Sequence, residues 1–471
     1  MNNPAYKRLV QIILALPAFL VAFMASAVNI ALPSIGKDFA MSAIMLNWVA
    51  TAYLLGTAIF LLPIGRIADI HGRKKIFILG LILFTLTTGL IPLAPNAATL
   101  IILRFFQGAS CSMLAGPSIA IITSVFSARE RGQAIGINIA AIYLGLSFGP
   151  FIGGMLTGHL GWRSIFTLTA PIGAVLVYLT TTRLVGEWAD ARGEDLDYIG
   201  SILYAMALVA FIYGLSLAPS VIGLWLLGLA AAGFVVFIRW EQKTNHPVLD
   251  INLFKTNRLF VFSNLAAMIH YCTSFALIFL LSLYLQYIKG LTPQAAGLIM
   301  VAYPVLMSVL TPSAGRLSDR IEPRLLVSGG MSLTALGVFG LIFLNENMHL
   351  LAIVAILIVM GIGYALFSSP NSNAVMSSVE KKHYGVASGV LSTMRLTGQM
   401  ISMATVLLLF SLYIGDEPIA PHTYPAFMKS MHTTFVIFCI LCVVGVCISL
   451  SRGEIHREKG TSTKDLSEEA H

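Results

Sequence analysis

Three ionisable side chains interrupt long apolar stretches of this chain: Arg104 in RFFQGAS, His270 in MIHYCTSF and Arg395 in LSTMRLTG. An arginine at the centre of a membrane helix costs about 2.5–3.5 kcal/mol on insertion scales, so it must face a cavity or a polar partner rather than lipid. Arg104 with Gln107, and Arg395, are therefore candidates for a polar substrate pathway. The other reading is that both arginines brace helices through carbonyl contacts, and the residues alone leave the two open. Histidine titrates near pH 6.5, which makes His270 a candidate proton carrier; a neutral histidine hydrogen-bonded in a packed bundle fits the same residue. A fourth concentration of chemistry is GRIADIHGRKK, residues 65–75, set between two apolar runs. There Asp69 is an acceptor beside Arg66, Arg73, Lys74 and Lys75, and Gly65 and Gly72 allow a backbone to approach or turn where a side chain would obstruct.

The elements that carry these residues follow from composition. The chain has 471 residues, 57% hydrophobic and 11% charged, whereas a soluble globular protein is about 25% charged. Runs of about 20 apolar residues, enough to cross some 30 Å of hydrocarbon as a helix, number fourteen. The expected class is an all-α integral membrane protein, in contact with a lipid bilayer. Of the 29 Lys and Arg residues, Lys37, Arg163, Lys289 and Lys429 fall on one side by this count, and Arg104 and Arg395 fall inside spans. All the others fall in the N-terminal segment, the loops after even-numbered spans and the C-terminal tail, which places both termini in the cytoplasm. Loops facing anionic lipid account for the net charge of +8 without any nucleic-acid partner. The five cysteines all lie in predicted spans, and the CxxC at Cys439 and Cys442 lacks the second pair or histidines of a metal site. No metal and no cofactor is expected.

The chain repeats itself. GRIAD at 65–69 returns as GRLSD at 315–319, Gly108 and Pro117 return as Gly361 and Pro370, and GQAIGI at 132–137 as GVASGV at 385–390. The offsets are 250, 253 and 253, and the order is kept. Spans one to six therefore match spans nine to fourteen, and spans seven and eight are an insertion. The expected domains are an N-terminal six-helix bundle (1–186), linkers with two inserted helices (187–258), a C-terminal six-helix bundle (259–451) and a cytoplasmic tail (452–471). Two related bundles meeting at the membrane midplane are a layout for alternating access. In the fifth span, LGLSFGPFIGG (144–154) puts Gly145, Gly149 and Gly153 on one helix face, where they permit close packing against a neighbour. Pro150 should bend the helix beside that face.

On these motifs the chain resembles the major facilitator superfamily, in its fourteen-span drug:proton antiporter branch of the quaternary-ammonium and multidrug resistance type. GRIADIHGRKK resembles the superfamily's second-loop signature, G-x-x-x-D-x-x-G-R-[RK]. LGLSFGPFIGG resembles the antiporter signature G-x-x-x-G-P-x-x-G-G, here Gly145, Gly149, Pro150, Gly153 and Gly154, and Arg104 opens a family-like R-x-x-Q-G element. The resemblance implies the major facilitator fold, and a conformational latch between the bundles on the cytoplasmic side made by Gly65, Asp69, Gly72 and Arg73. The second copy keeps Asp319 but has Glu322 and Pro323 where Gly72 and Arg73 stand, and reads as a weaker latch; the second half also lacks the glycine signature, reading GQMISMATVL at 398–407.

The departures bear on cargo. The branch's first span usually carries an aspartate, but FMASAVNIALP (23–33) has Met24 in its place while keeping Asn29. No carboxylate lies in mid-membrane, and a cavity built for lipophilic cations would be expected to offer one, since a cation in low dielectric needs a counter-charge. The expected substrates are accordingly neutral or anionic amphiphiles. The pathway candidates are Asn29, Arg104, Gln107, His270, Tyr284 and Arg395, with Tyr53, Asn138, Tyr143, Asn264, Tyr271, Gln286, Asn371 and Gln399 filling out the cavity.

The sequence thus reads as a monomeric secondary transporter of a prokaryotic inner membrane, exporting amphiphilic small molecules by proton-coupled alternating access. Uniport or proton-coupled transport of an organic anion or metabolite is the alternative, and a non-transporting membrane sensor the rival of another class. No GxxxxGK[ST] phosphate loop is present, and no clustered nucleophile, metal set or acid pair marks an enzyme.

Overall fold

In hydrocarbon every backbone N–H and C=O must be paired within its own segment, so apolar runs of this length become helices. The computed structural model describes residues 4–127, 130–189, 192–244, 257–318, 320–379 and 384–452. Fourteen helices in it are long and apolar enough to span a membrane. They are α1 (Pro4–Asp38), α2 (Ala43–His71), α3 (Arg73–Leu90), α4 (Ala97–Val125), α5 (Arg131–Leu160), α6 (Arg163–Arg183), α7 (Tyr198–Leu217) and α8 (Val221–Glu241). The series continues with α9 (Arg258–Ile288), α10 (Pro293–Leu317), α11 (Pro323–Ile342), α12 (Leu350–Ser377), α13 (Tyr384–Tyr413) and α14 (Tyr424–Leu450).

The predicted repeat is visible as packing. In the first bundle α1 packs on α5 and α6, α2 on α4, and α3 on α4 and α6; in the second, α9 packs on α13 and α14, α10 on α12, and α11 on α12 and α14. The same partners recur eight helices apart. Residue-level crossings repeat too: a Cβ on Gly108 would lie 1.9 Å from the Tyr53 carbonyl oxygen, and one on Gly361 2.8 Å from that of Tyr303. A Cβ on Gly145 would meet Phe19 O at 2.4 Å, and one on Gly398 would meet Met268 O at 2.2 Å. The glycine signature is therefore not wholly lost from the second half, since Gly398 occupies the place of Gly145.

The inserted pair is pinned at its base by Asp197, which caps α7 through Gly200 N (2.8 Å) and accepts from Trp240 Nε1 on α8 (3.0 Å). Helix α7 packs on α2 and α13, with Trp48 and Tyr213 6.2 Å apart and Ser411 Oγ donating to Ala218 O at 2.7 Å. Residues 218–220 form a short turn between α7 and α8. Helix α10 is interrupted at Val301, three residues before Pro304, whose missing N–H removes a helical hydrogen bond.

At the termini face, Lys7 Nζ donates to Glu130 Oε2 at 2.6 Å, tying α1 to the entry of α5. The Lys7 and Ser127 hydrogen bonds hold the Glu130 carboxyl down at about 2. That contribution is present above the ordinary glutamate range and is lost only as pH falls toward 2. Arg452, expected to begin the tail, is 2% exposed. It reaches back between α9 and α12 to Asn371 Oδ1 (3.3 Å) and Ser263 Oγ (3.5 Å), and burial pulls its pKa down to about 10, leaving it charged at neutral pH.

Candidate functional site

The two bundles meet along α2–α13, α5–α10 and α1–α9. Helix α5 has two working faces at this seam. Gly145, Gly149 and Gly153 face α1 within the first bundle: a Cβ on Gly149 would lie 2.5 Å from Ser26 Cβ, and one on Gly153 2.7 Å from Ala27 Cβ. Gly154 and Pro150 face the other bundle. A Cβ on Gly154 would sit 2.5 Å from Pro293 O, and one on Gly297 of α10 would sit 2.1 Å from Pro150 O. The spacing of four fixed the first face in the sequence; the second needed α10 and was not legible.

Among the described residues, the hydrogen bonds that cross between bundles all lie at mid-depth or nearer the face opposite the termini. Tyr143 OH and Ser368 Oγ are 3.1 Å apart, and Ser147 and Ser308 Oγ 2.9 Å. Farther along, Ser282 Oγ donates to Asn29 O (2.7 Å), Gln286 Nε2 to Ile30 O (3.0 Å), Asn47 Nδ2 to Met403 O (3.4 Å) and Ala43 N to Glu417 O (2.9 Å). Asn29 thus contributes its backbone to this closure, while its side chain donates to Ala25 O (3.2 Å) within α1. Tyr284 is buried, its hydroxyl donating to Asn345 O (2.7 Å) in a loop of the second bundle.

At mid-depth the second bundle gathers an aromatic cluster around Arg395. The guanidinium lies 5.4 Å from the Tyr271 ring and donates from Nη2 to Ser372 Oγ at 2.6 Å, while Nε has no partner. Tyr364 stands 5.6 Å from Tyr271 and 5.9 Å from Tyr303, nearly perpendicular to both. His270 is 0% exposed and stacks 3.9 Å from Phe367, and neither ring nitrogen has a hydrogen-bond partner. Among the described residues every Asp and Glu lies in a loop or near a helix end, so Arg395 has no carboxylate beside it. Tyr303, Tyr364, Phe367 and Ser372 were missed in the sequence. The repeat held the signal for Tyr303, because Tyr303 and Gly361 mirror Tyr53 and Gly108.

Arg104 is placed elsewhere. It is 2% exposed, donating from Nε to Val49 O (3.2 Å) and from Nη1 to Gln107 Oε1 (2.5 Å), with its guanidinium 4.3 Å from the Tyr53 ring. Gln107 in turn donates to Thr88 Oγ1 at 2.8 Å. This is the bracing arrangement, joining α2, α3 and α4. Of the other residues expected to fill the cavity, Tyr143 and Tyr271 belong to the central cluster. Tyr53, Gln286 and Asn371 are engaged in the helix contacts described above, and Asn264 bonds within α9 to Phe260 O (2.9 Å).

The segment 65–75, expected as a loop, is helical except at Gly72: 65–71 end α2 and 73–75 begin α3. This junction is held from an unforeseen quarter. Asp69 Oδ1 accepts from Arg73 Nη2 and Nε at 2.7 and 2.8 Å, across the junction itself. The linker after α6 lies against it: Glu187 Oε1 accepts from Lys74 N (2.9 Å) at the start of α3, Arg73 N donates to Trp188 O (2.8 Å), and Arg66 pairs with Glu194. Gly72 has φ +117°, and a Cβ there would also lie 2.5 Å from Glu187 Cδ. Gly65 has open space around it. Asp319, the counterpart acid, lies outside the described residues. Gly72→Ala is expected to cost about 1–3 kcal/mol of backbone strain and to cut transport several-fold per molecule in the membrane, measured in vesicles. Glu187→Ala should lose less, since it keeps the backbone.

A family model described as Major Facilitator Superfamily matches residues 14–241 and 264–469. The chain belongs to the major facilitator superfamily. It is 30% identical over 452 residues to the riboflavin transporter RibZ of Clostridioides difficile, covering 94% of this chain and 97% of that one. It is 32% identical over 398 residues to the multidrug resistance protein Stp of Mycobacterium tuberculosis, covering 82% and 73%. In fold it is similar to a bacterial homologue of the human lysosomal transporter Spinster, solved inward-facing and unoccupied, with a TM-score of 0.71 at 17% identity over 96% of this chain and 98% of that one. The protein is a multi-pass membrane transporter of this superfamily and not an enzyme.

Proposed function

We propose that this major facilitator protein is a proton-coupled exporter of amphiphilic small molecules. The observation that carries alternating access is the seam: close contacts and hydrogen bonds join the bundles at mid-depth and toward the face opposite the termini. With both termini cytoplasmic, as the distribution of Lys and Arg favours, that arrangement is an inward-facing state. The α2–α3 junction at 65–75 is then the latch of the other state, in which Asp69, Gly65 and Gly72 meet the second bundle. The multidrug and riboflavin transporters among its relatives support small amphiphilic cargo.

Export is tested in proteoliposomes under an imposed pH gradient with matched cationic, neutral and anionic dyes. The expected result is gradient-driven movement of the neutral and anionic compounds; movement that ignores the gradient would establish uniport, and movement of cations alone would sink the cargo assignment. His270 is the proposed proton carrier, because imidazole is the one mid-membrane side-chain type here whose ordinary range lies near neutrality; buried and without a hydrogen-bond partner in this conformation, it would take up its proton in the state that opens the cluster. His270→Gln should abolish substrate-driven proton flux, and unchanged flux removes it from the mechanism. The second reading, transport of an organic anion, is favoured by one feature, the absence among the described residues of any carboxylate beside Arg395.

A further inference from the structure

We propose that the Arg395 cluster binds a planar fused-ring heteroaromatic, neutral or anionic, by stacking on tyrosine and by hydrogen bonding of its acceptor edge to the guanidinium; this rests on the reading of the protein as a small-molecule transporter. The shape argument comes from the rings. Tyr364 meets Tyr271 at 73° and Tyr303 at 79°; Tyr303 and Tyr364 are buried and form an edge-on wall, so the half-buried Tyr271 is the ring left to stack on at this notch. Tyr143 closes the notch from the other bundle through its hydroxyl contact with Ser368, one helical turn from the Ser372 that holds Arg395. Tyr143, Tyr271, Ser372 and Arg395 are only half-buried, while His270 and Phe367 behind them are buried. A flat aromatic laid on such a surface buries a large area for little lost freedom and gains from offset or edge contacts.

The charge argument selects the edge. A guanidinium offers five donors, and one of those on Arg395 is spent, on Ser372. It has no carboxylate partner among the described residues and its Nε is unpaired, so an acceptor edge, such as adjacent carbonyl oxygen and ring nitrogen or a carboxylate in the ring plane, supplies what the protein does not. Guanidinium forks favour planar, bidentate acceptors. Aromatic faces also attract cations, but here the cation over Tyr271 is Arg395 itself, and a second positive charge in the notch would be repelled. The same residues thus accept flat acceptor-edged rings and reject flat cations. Bulk alone would not distinguish the two.

The test uses the full-length protein in lipid nanodiscs and three probes: riboflavin, planar and neutral with a carbonyl and ring-nitrogen acceptor edge; ethidium, planar and cationic; and cholate, anionic and not planar. Riboflavin fluorescence should be quenched on binding, with ethidium and cholate each at least tenfold weaker. Arg395→Gln should weaken riboflavin at least tenfold and tighten ethidium. Tyr271→Leu should weaken riboflavin similarly, and Tyr271→Phe, which keeps the ring face, should not. If Arg395→Gln does not fold, Arg395→Lys, which keeps the charge without the fork, should weaken riboflavin several-fold and still exclude ethidium. Absence of riboflavin binding, ethidium or cholate binding as tightly as riboflavin, or indifference of riboflavin to a folded Arg395 variant would overturn the proposal. Export is read separately: if riboflavin binds as described but no probe crosses proteoliposomes, the transport reading fails while the site stands.

Discussion

Gly297→Val is expected to abolish closure at the face opposite the termini and to reduce transport at least tenfold. The Cβ it introduces would fall 2.1 Å from the Pro150 carbonyl oxygen, a backbone atom within α5 that cannot swing aside as the end of a side chain can. Overpacking of this kind costs typically 1–3 kcal/mol, and each 1.4 kcal/mol moves a two-state equilibrium tenfold. The contact joins α5 to α10, one from each bundle, so the penalty falls on the conformation in which the bundles touch there and is relieved when they part. Gly149→Val also clashes, 2.5 Å from Ser26 Cβ, but inside the first bundle, where both conformations carry it. The two variants should therefore separate. A single cysteine at Ser282, buried in the closed seam, in a background without the five native cysteines, should become reactive to a water-soluble maleimide in Gly297→Val at unchanged melting temperature. Gly149→Val should instead lower melting temperature and membrane yield. Equal labelling of Ser282→Cys with and without Gly297→Val would remove α5–α10 from the gate.

That contrast also marks how far the sequence could be read. Helix count, the six-two-six division and the α5 glycine face were legible because each rests on a local period: about 20 apolar residues for a span, four residues for a helix face, and an offset near 250 for the halves. What those faces meet is not local. Gly145, Gly149 and Gly153 announce a close neighbour without saying that it is α1, and Gly154 conceals its partnership with Pro293 entirely. Tyr303 and Tyr364 looked like ordinary apolar-run residues because the notch they form with Tyr271 draws on α9, α10 and α12. Glu187 and Glu194 were read as linker, since nothing in GEWADARGEDLD names the loop against which it lies.

Arg104→Leu is expected to lower stability by several kcal/mol without changing riboflavin affinity. The sequence left this arginine between brace and pathway, and its surroundings favour the brace: Val49 O and Gln107 Oε1 accept from it, and Tyr53 lies under it. A desolvated cation over an aromatic ring contributes about 2 kcal/mol. Leaving Gln107 Oε1 buried without its donor costs a further 1–3 kcal/mol or so. Against this, leucine removes the cost of holding a charge in the membrane, about 2.5–3.5 kcal/mol on insertion scales. That relief applies before the helices associate as well as after, so it largely cancels from the stability of the assembled bundle. Lysine should not rescue, because one ammonium cannot satisfy the α2 carbonyl and the α4 amide while covering the Tyr53 face. The measurement is melting temperature in detergent, paired with riboflavin titration of the folded fraction. A variant that melts normally but loses riboflavin would move Arg104 into the substrate pathway. One that melts early and binds normally assigns the polar work of the cavity to Arg395, which the repeat gives no counterpart in the first bundle.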